Sequence, residues 1–249
     1  MFEILQTGYQ TSLAASPAAA NMGMYGLMIV IAIAGYIVQA RLQSVFAKYS
    51  KVPMPNGMTG AQMAEKMLRE NNVHNVRITH VSGHLTDHFN PATMTVNLSD
   101  SVYSSASVAA VAVACHECGH AIQHARGYAP LVLRSQLVPV VNFTSRAATI
   151  VILAGIALMA ATQNELVCWI GIGMIAMSAL FSIVTLPVEY NASARALEWL
   201  EQTRIFHGQQ LDGARISLRW AARTYLVAAL SAIASVLYYV FLIFGRRND

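Results

Sequence analysis

Nineteen consecutive residues, 22–40, carry no charge, and three further long apolar runs follow, over 147–162, 166–188 and 224–244. At 1.5 Å per residue the first is about 28 Å long as a helix, close to the roughly 30 Å hydrocarbon core of a bilayer. This chain is therefore expected to cross a membrane four times. Only 11 % of its 249 residues are charged and 55 % are apolar, against about 25 % charged in an average soluble domain. Disordered, collagen-like and nucleic-acid-binding readings need a polar or repetitive composition and are excluded. The three cysteines, Cys115, Cys118 and Cys168, are too few and odd in number for a disulfide framework.

The first run is preceded by Glu3 and no basic residue, and is followed by Arg41, Lys48 and Lys51. That is the reverse of a signal peptide's charge order. An extracytoplasmic segment 1–21 and an anchor at 22–40 are expected. The polar turn Gln163-Asn164-Glu165 joins the second and third runs into a hairpin over 147–188. Segments 41–146 and 189–223 then share one side, and hold 14 of the 16 Lys and Arg residues. The positive-inside rule makes that side cytoplasmic. A tail, 245–249, follows the fourth span at 224–244. The fold class expected is mainly α: a polytopic helical membrane protein with about four transmembrane helices and a small α+β cytoplasmic region.

Within 41–146, residues 59–70 have the amphipathic pattern of a helix with Thr59 as N-cap. The β-branched alternation across 76–99, broken by Gly83 and Asn90-Pro91, predicts two short strands or a hairpin. Residues 104–125 read as a long Ala/Val-rich helix. His80, His84 and His88 are four apart, but strand-like neighbours would spread them along an extended chain, so they are expected to be solvated or locally bonded.

The chemistry lies in Cys115-His116-Glu117-Cys118-Gly119-His120. On a helix, His116 and His120 differ by a net 40° and leave one face a turn apart, as two ligands of one zinc ion must. Glu117 projects beside them, where it can deprotonate a water on the metal. With 8 His and 8 Glu in the chain, this H-E-x-x-H pattern has a chance expectation of about 0.008. Cys118 lies 200° round the helix from His116 and Cys115 also faces away, so both are expected to be packing residues. His124 lies too far along the same helix to be the third ligand, and no Gly bends the chain towards it. The remaining source is a carboxylate from another helix. Glu189, at the inner end of the third run in LPVEYNASARALEWL, is on the correct side of the membrane. Glu198 and Glu201 lie in a more charged stretch and look solvated.

Together AVACHECGHAIQHA, LPVEYNASARALEWL and LTDHFNP, in an anchor–domain–hairpin–helix order over about 22–244, resemble the YugP-type neutral zinc metallopeptidases of bacterial membranes. The layout is also similar to HtpX-type integral membrane proteases. The resemblance implies a gluzincin arrangement, with one zinc ion held by His116, His120 and Glu189 and with Glu117 as catalytic base. It implies a peptide or membrane-protein substrate and a place in the bacterial inner (cytoplasmic) membrane, with the active site facing the cytoplasm. HtpX-type enzymes carry an Asp four residues after the glutamate ligand; here that position is Ser193, and Asn191 lies two residues after Glu189. Tyr190, Arg195, His207 and Tyr225 are candidate oxyanion donors. The stretch 93–98 is a candidate edge for an extended substrate. A zinc-binding membrane scaffold without activity is the alternative reading, and intact Glu117 argues against it.

Overall fold

The computed structural model describes residues 17–83 and 85–246. The ends of the expected N-terminal segment and tail, and His84, lie outside these residues. In chain order the elements are α1 (Pro17–Tyr49), α2 (Gly60–Glu70), β1 (Arg77–Val81), β2 (His88–Asn90), β3 (Thr95–Ser99), α3 (Asp100–Tyr103), α4 (Val108–Ala125), α5 (Ala129–Thr162), α6 (Leu166–Gln202) and α7 (Gln209–Arg246). The fold is mainly α with a small three-stranded sheet. Among the described residues four helices, α1, α5, α6 and α7, are long and apolar enough to cross a membrane.

The long helices outrun the apolar runs. α5 starts at Ala129 and passes through Pro139, and α6 continues through Pro187 to Gln202. Glu189 is therefore held inside a continuous helix rather than at a helix end.

Two compact units divide the described chain. One gathers Pro139–Leu180 with α1 up to Ala34 and α7 from Ala229. In it α5 and α6 touch through small residues. A Cβ on Gly155 would lie 2.7 Å from the Cys168 amide nitrogen, and one on Gly171 would lie 2.4 Å from Ile152 Cγ1. Close backbone approach of this kind is how apolar helices associate where lipid offers no hydrophobic drive.

The other unit, Gly35–Val138 with Phe181–Ala228, contains a water-soluble type of core. α2 forms because Thr59 closes a capping box: its hydroxyl accepts from the Gln62 amide and Gln62 Oε1 accepts from the Thr59 N–H. Its apolar stripe buries Met63, Met67 and Leu68. α4, capped by Ser107 at the Ala110 amide, is buried along most of its length. Its Ala and Val side chains keep it thin enough to be packed on several sides.

The sheet has the order β1-β3-β2, with β1 parallel and β2 antiparallel to β3. The 76–99 stretch thus holds three strands, not two. The expected edge at 93–98 is instead the central strand β3, whose residues Val96 and Leu98 are fully buried. The edge next to α4 is β2.

Candidate metal centre

α4 and α6 cross at Gly119. A Cβ there would lie 2.6 Å from the Ala192 carbonyl oxygen and 3.0 Å from its Cα. Only glycine permits this approach, and it carries Glu189, one turn before Ala192, onto the imidazoles of α4. Glu189 Oε2 is 3.2 Å from His116 Nε2 and 3.5 Å from His120 Nε2. The three donor atoms lie within 4.8 Å of one another. A tetrahedral ion with bonds of about 2.0–2.1 Å sets its ligand atoms about 3.3–3.4 Å apart. The two edges from Glu189 match that spacing, so the residues fit a zinc ion.

Both imidazoles are oriented from behind. His116 Nδ1 is 3.1 Å from Ser193 Oγ. His120 Nδ1 donates to Gln123 Oε1 at 3.0 Å. The amide of Gln123 cannot turn round, because its Nε2 donates to Val188 O (2.8 Å) and Asn191 Oδ1 (3.0 Å), both acceptors. His120 Nδ1 must therefore carry the hydrogen, which leaves the Nε2 lone pair facing Glu189. Arg195 donates to Asn191 Oδ1 at 2.8 Å and completes the chain.

Glu189 is only 2 % exposed, and Arg134 Nη1 approaches its other oxygen to 3.5 Å. A carboxylate buried so deeply needs partners, and these include two imidazoles, a guanidinium and the Tyr225 hydroxyl. Burial works against the charged form of His120. The hydrogen bond to Glu189 and the negative charges of Glu117 and Glu189 outweigh it, so the pKa lies above the ordinary imidazole value.

Glu117 is absent from the donor cluster. Its Oε2 accepts from the Phe89 N–H of β2 at 3.1 Å. It lines two cavities, of about 260 and 160 Å³, that flank the cluster; His120 and Glu189 face the first and His116 the second. Asp87 also lines both and is fixed by Ser99, whose N–H and hydroxyl donate to it at 2.7 and 2.9 Å.

Of the expected oxyanion donors, Tyr225 lines both cavities. Tyr190 is 48 % exposed and lines neither, Arg195 is engaged with Asn191, and His207 is exposed. Cys115 and Cys118 are buried, and burial pushes both thiols up, so they stay protonated. Cys118 Sγ points to the Ala64 carbonyl, away from the cluster. His80 pairs with Asp100 at 2.6 Å, and His88 Nδ1 meets the Thr86 carbonyl at 2.8 Å. Both are locally bonded as expected. Glu198 and Glu201 are exposed.

Sequence reasoning missed Gln123, Arg134 and the Phe89 amide. Gln123 had a legible signal: a polar side chain three residues after His120, on the same side of an apolar helix.

The fold and this cluster meet in one family. A family model described as "Putative neutral zinc metallopeptidase" matches residues 24–244, and the chain belongs to that family. Among curated proteins it is similar to the "Putative membrane protease YugP" of Bacillus subtilis (strain 168). The two are 38 % identical over 230 residues, covering 91 % of this chain and 100 % of the relative. No solved structure matches the chain.

Proposed function

We propose that this chain is an integral-membrane zinc metallopeptidase of the bacterial inner membrane, hydrolysing peptide bonds at the cytoplasmic face. One observation carries the reading: a cluster of two imidazoles and a carboxylate, with Glu189 Oε2 3.2 and 3.5 Å from the two Nε2 atoms, stands beside a second carboxylate that is not one of its donors and that faces open cavities. A purely structural metal site has no use for such a carboxylate. The cytoplasmic orientation rests on the 14 basic residues in segments 41–146 and 189–223.

His116, His120 and Glu189 would hold one zinc ion, which when bound would supply a Lewis acid and lower the pKa of water towards about 7. Glu117 takes the proton of the attacking water and delivers it to the leaving amine. The Phe89 N–H holds one carboxylate oxygen and so aims the other. Tyr225 donates its phenolic hydrogen to the developing oxyanion. An extended peptide or membrane-protein segment lies along β2, whose one pairing partner among the described strands is β3, leaving its other edge for the substrate.

The test is proteolysis of a mixed membrane-protein substrate pool by the purified protein, with Glu117→Gln alongside. This change keeps shape and hydrogen bonding but removes the base. Zinc content should be unchanged and turnover should fall by about 10²–10⁴. Undiminished turnover would end the hydrolase mechanism and leave the scaffold reading ahead.

A further inference from the structure

Besides the two cavities at the metal cluster, α6 and α7 line a groove of about 300 Å³ formed by Tyr190, Ser193, Leu197, Arg215, Leu218 and Arg219. No acidic side chain lines it. Arg215 and Arg219 are four residues apart and share a helix face. Arg215 is paired with Asp212 at 3.3 Å, whereas Arg219 is exposed and makes no ion pair among the described residues. An uncompensated guanidinium in a groove with a half-exposed phenol is suited to a phosphate.

The two helices also supply what an acyl chain needs. Seven residues are two helical turns less about 20°, so they return to the same face. On α6, exposed Ile183 lies seven residues before Tyr190, and on α7, exposed Leu226 lies seven residues after Arg219. Both apolar residues lie on the side of the groove towards the apolar runs, about 10 Å along each helix axis. Arg219 is five residues outside the run that begins at 224, about 7.5 Å, and Tyr190 is about 3 Å beyond the run that ends at 188. The headgroup layer of one leaflet is about 5–7.5 Å thick.

We infer that this groove binds an anionic phospholipid, its headgroup phosphate on Arg219, Arg215 and the Tyr190 hydroxyl and its acyl chains along Ile183 and Leu226. The inference rests on the membrane reading above but not on peptidase activity. The site is built for one lipid rather than a diffuse basic surface, because donors and apolar surface lie in register on two neighbouring helices.

Native mass spectrometry of the full chain in detergent tests it, titrating dioleoyl phosphatidylglycerol, dioleoyl phosphatidylcholine and inorganic phosphate. One saturable phosphatidylglycerol per chain is expected, bound more tightly than phosphatidylcholine, with no competition from millimolar phosphate. Each arginine contributes about fivefold, the weight of one basic side chain at an anionic surface. Arg215→Gln with Arg219→Gln should therefore weaken phosphatidylglycerol about 25-fold and leave phosphatidylcholine unchanged, and Arg69→Gln on α2 should do nothing. If the double variant does not fold, Arg219→Gln alone, at an exposed position, should give the fivefold loss. Equal affinity of wild type and variant would overturn the proposal, as would inorganic phosphate binding as tightly as the lipid. Alkaline carbonate extraction separates the two failures: a chain washed from membranes contradicts the membrane reading, while a retained chain with an unselective groove contradicts the lipid site alone.

Discussion

Replacing Gly119 by alanine should damage the metal centre without touching a ligand. The new Cβ would lie 2.6 Å from the Ala192 carbonyl oxygen, 3.0 Å from its Cα and 3.1 Å from its carbonyl carbon. All three atoms are backbone, so no side chain can swing away. Relief to an ordinary carbon–oxygen contact of about 3.2 Å requires α4 and α6 to separate by about 0.6 Å. Overpacking of this kind costs about 1–3 kcal/mol, and at about 2–4 °C per kcal/mol for a chain of this size Tm should fall by about 2–12 °C. Glu189 moves with Ala192, so its 3.2 and 3.5 Å spacings to His116 and His120 grow by more than the roughly 0.2 Å that a zinc site tolerates. Zinc affinity, measured by competition with a chromogenic chelator, should drop at least about tenfold, in keeping with the cost of displaced ligand support. Gly173→Ala is the control, since a Cβ there meets nothing within 4 Å. Wild-type zinc affinity and Tm in Gly119→Ala would refute the claim that this crossing sets the site.

Other consequences are open to direct measurement. Ser193→Ala and Gln123→Ala each remove the Nδ1 partner of a histidine and should weaken zinc binding about 10–100-fold; Gln123→Ala should also lower Tm, because it empties the space of a fully buried side chain and removes its hydrogen bonds to Val188 and Asn191, and equal Tm values for the two would contradict the network. Zinc affinity should fall as pH is lowered. The pKa of His120 is raised in the metal-free protein, so its proton competes with zinc from above the ordinary imidazole value downwards, at up to about tenfold per pH unit for one proton. Affinities equal at pH 8 and pH 6 would be incompatible with His120 as a ligand. Reporters placed after Lys51 and after His207 should both be cytoplasmic and one at Asn164 external; opposite sides for 51 and 207 would separate Glu189 from His116.

The parts of the site that were legible in the sequence are those governed by local geometry. The i, i+4 spacing of His116 and His120 needs only a helix, and Glu189 needs only the sidedness of the apolar runs. In the sequence Arg134 reads as one more basic residue, because Arg134, Gln136, Asn142 and Arg146 interrupt the hydrophobic pattern and hide that α5 begins at Ala129. The strand order was not legible for a different reason. Alternation in 93–98 marks Val96 and Leu98 as inward-facing, but the burial of Thr95 and Ser99, which makes β3 central, comes from partners distant in sequence. Ser99 bonding to Asp87 is one of them. Ser193 takes the position where the resemblance led a carboxylate to be expected, with Asn191 two residues before it, and the geometry shows a division of labour. Ser193 serves His116 directly, while Asn191 reaches His120 through Gln123.

Zinc K-edge X-ray absorption on the purified, zinc-loaded chain addresses the coordination itself. One zinc is expected, bonded to nitrogen and oxygen alone at about 2.0–2.2 Å, with more distant scattering from two imidazoles. Glu189→Ala should lose the metal or a light-atom ligand, whereas Glu117→Gln should leave the spectrum unchanged. A sulfur scatterer at about 2.3 Å would bring Cys115 or Cys118 into the shell, and a spectrum untouched by Glu189→Ala would remove the third ligand. Either result would contradict the site described by His116, His120 and Glu189.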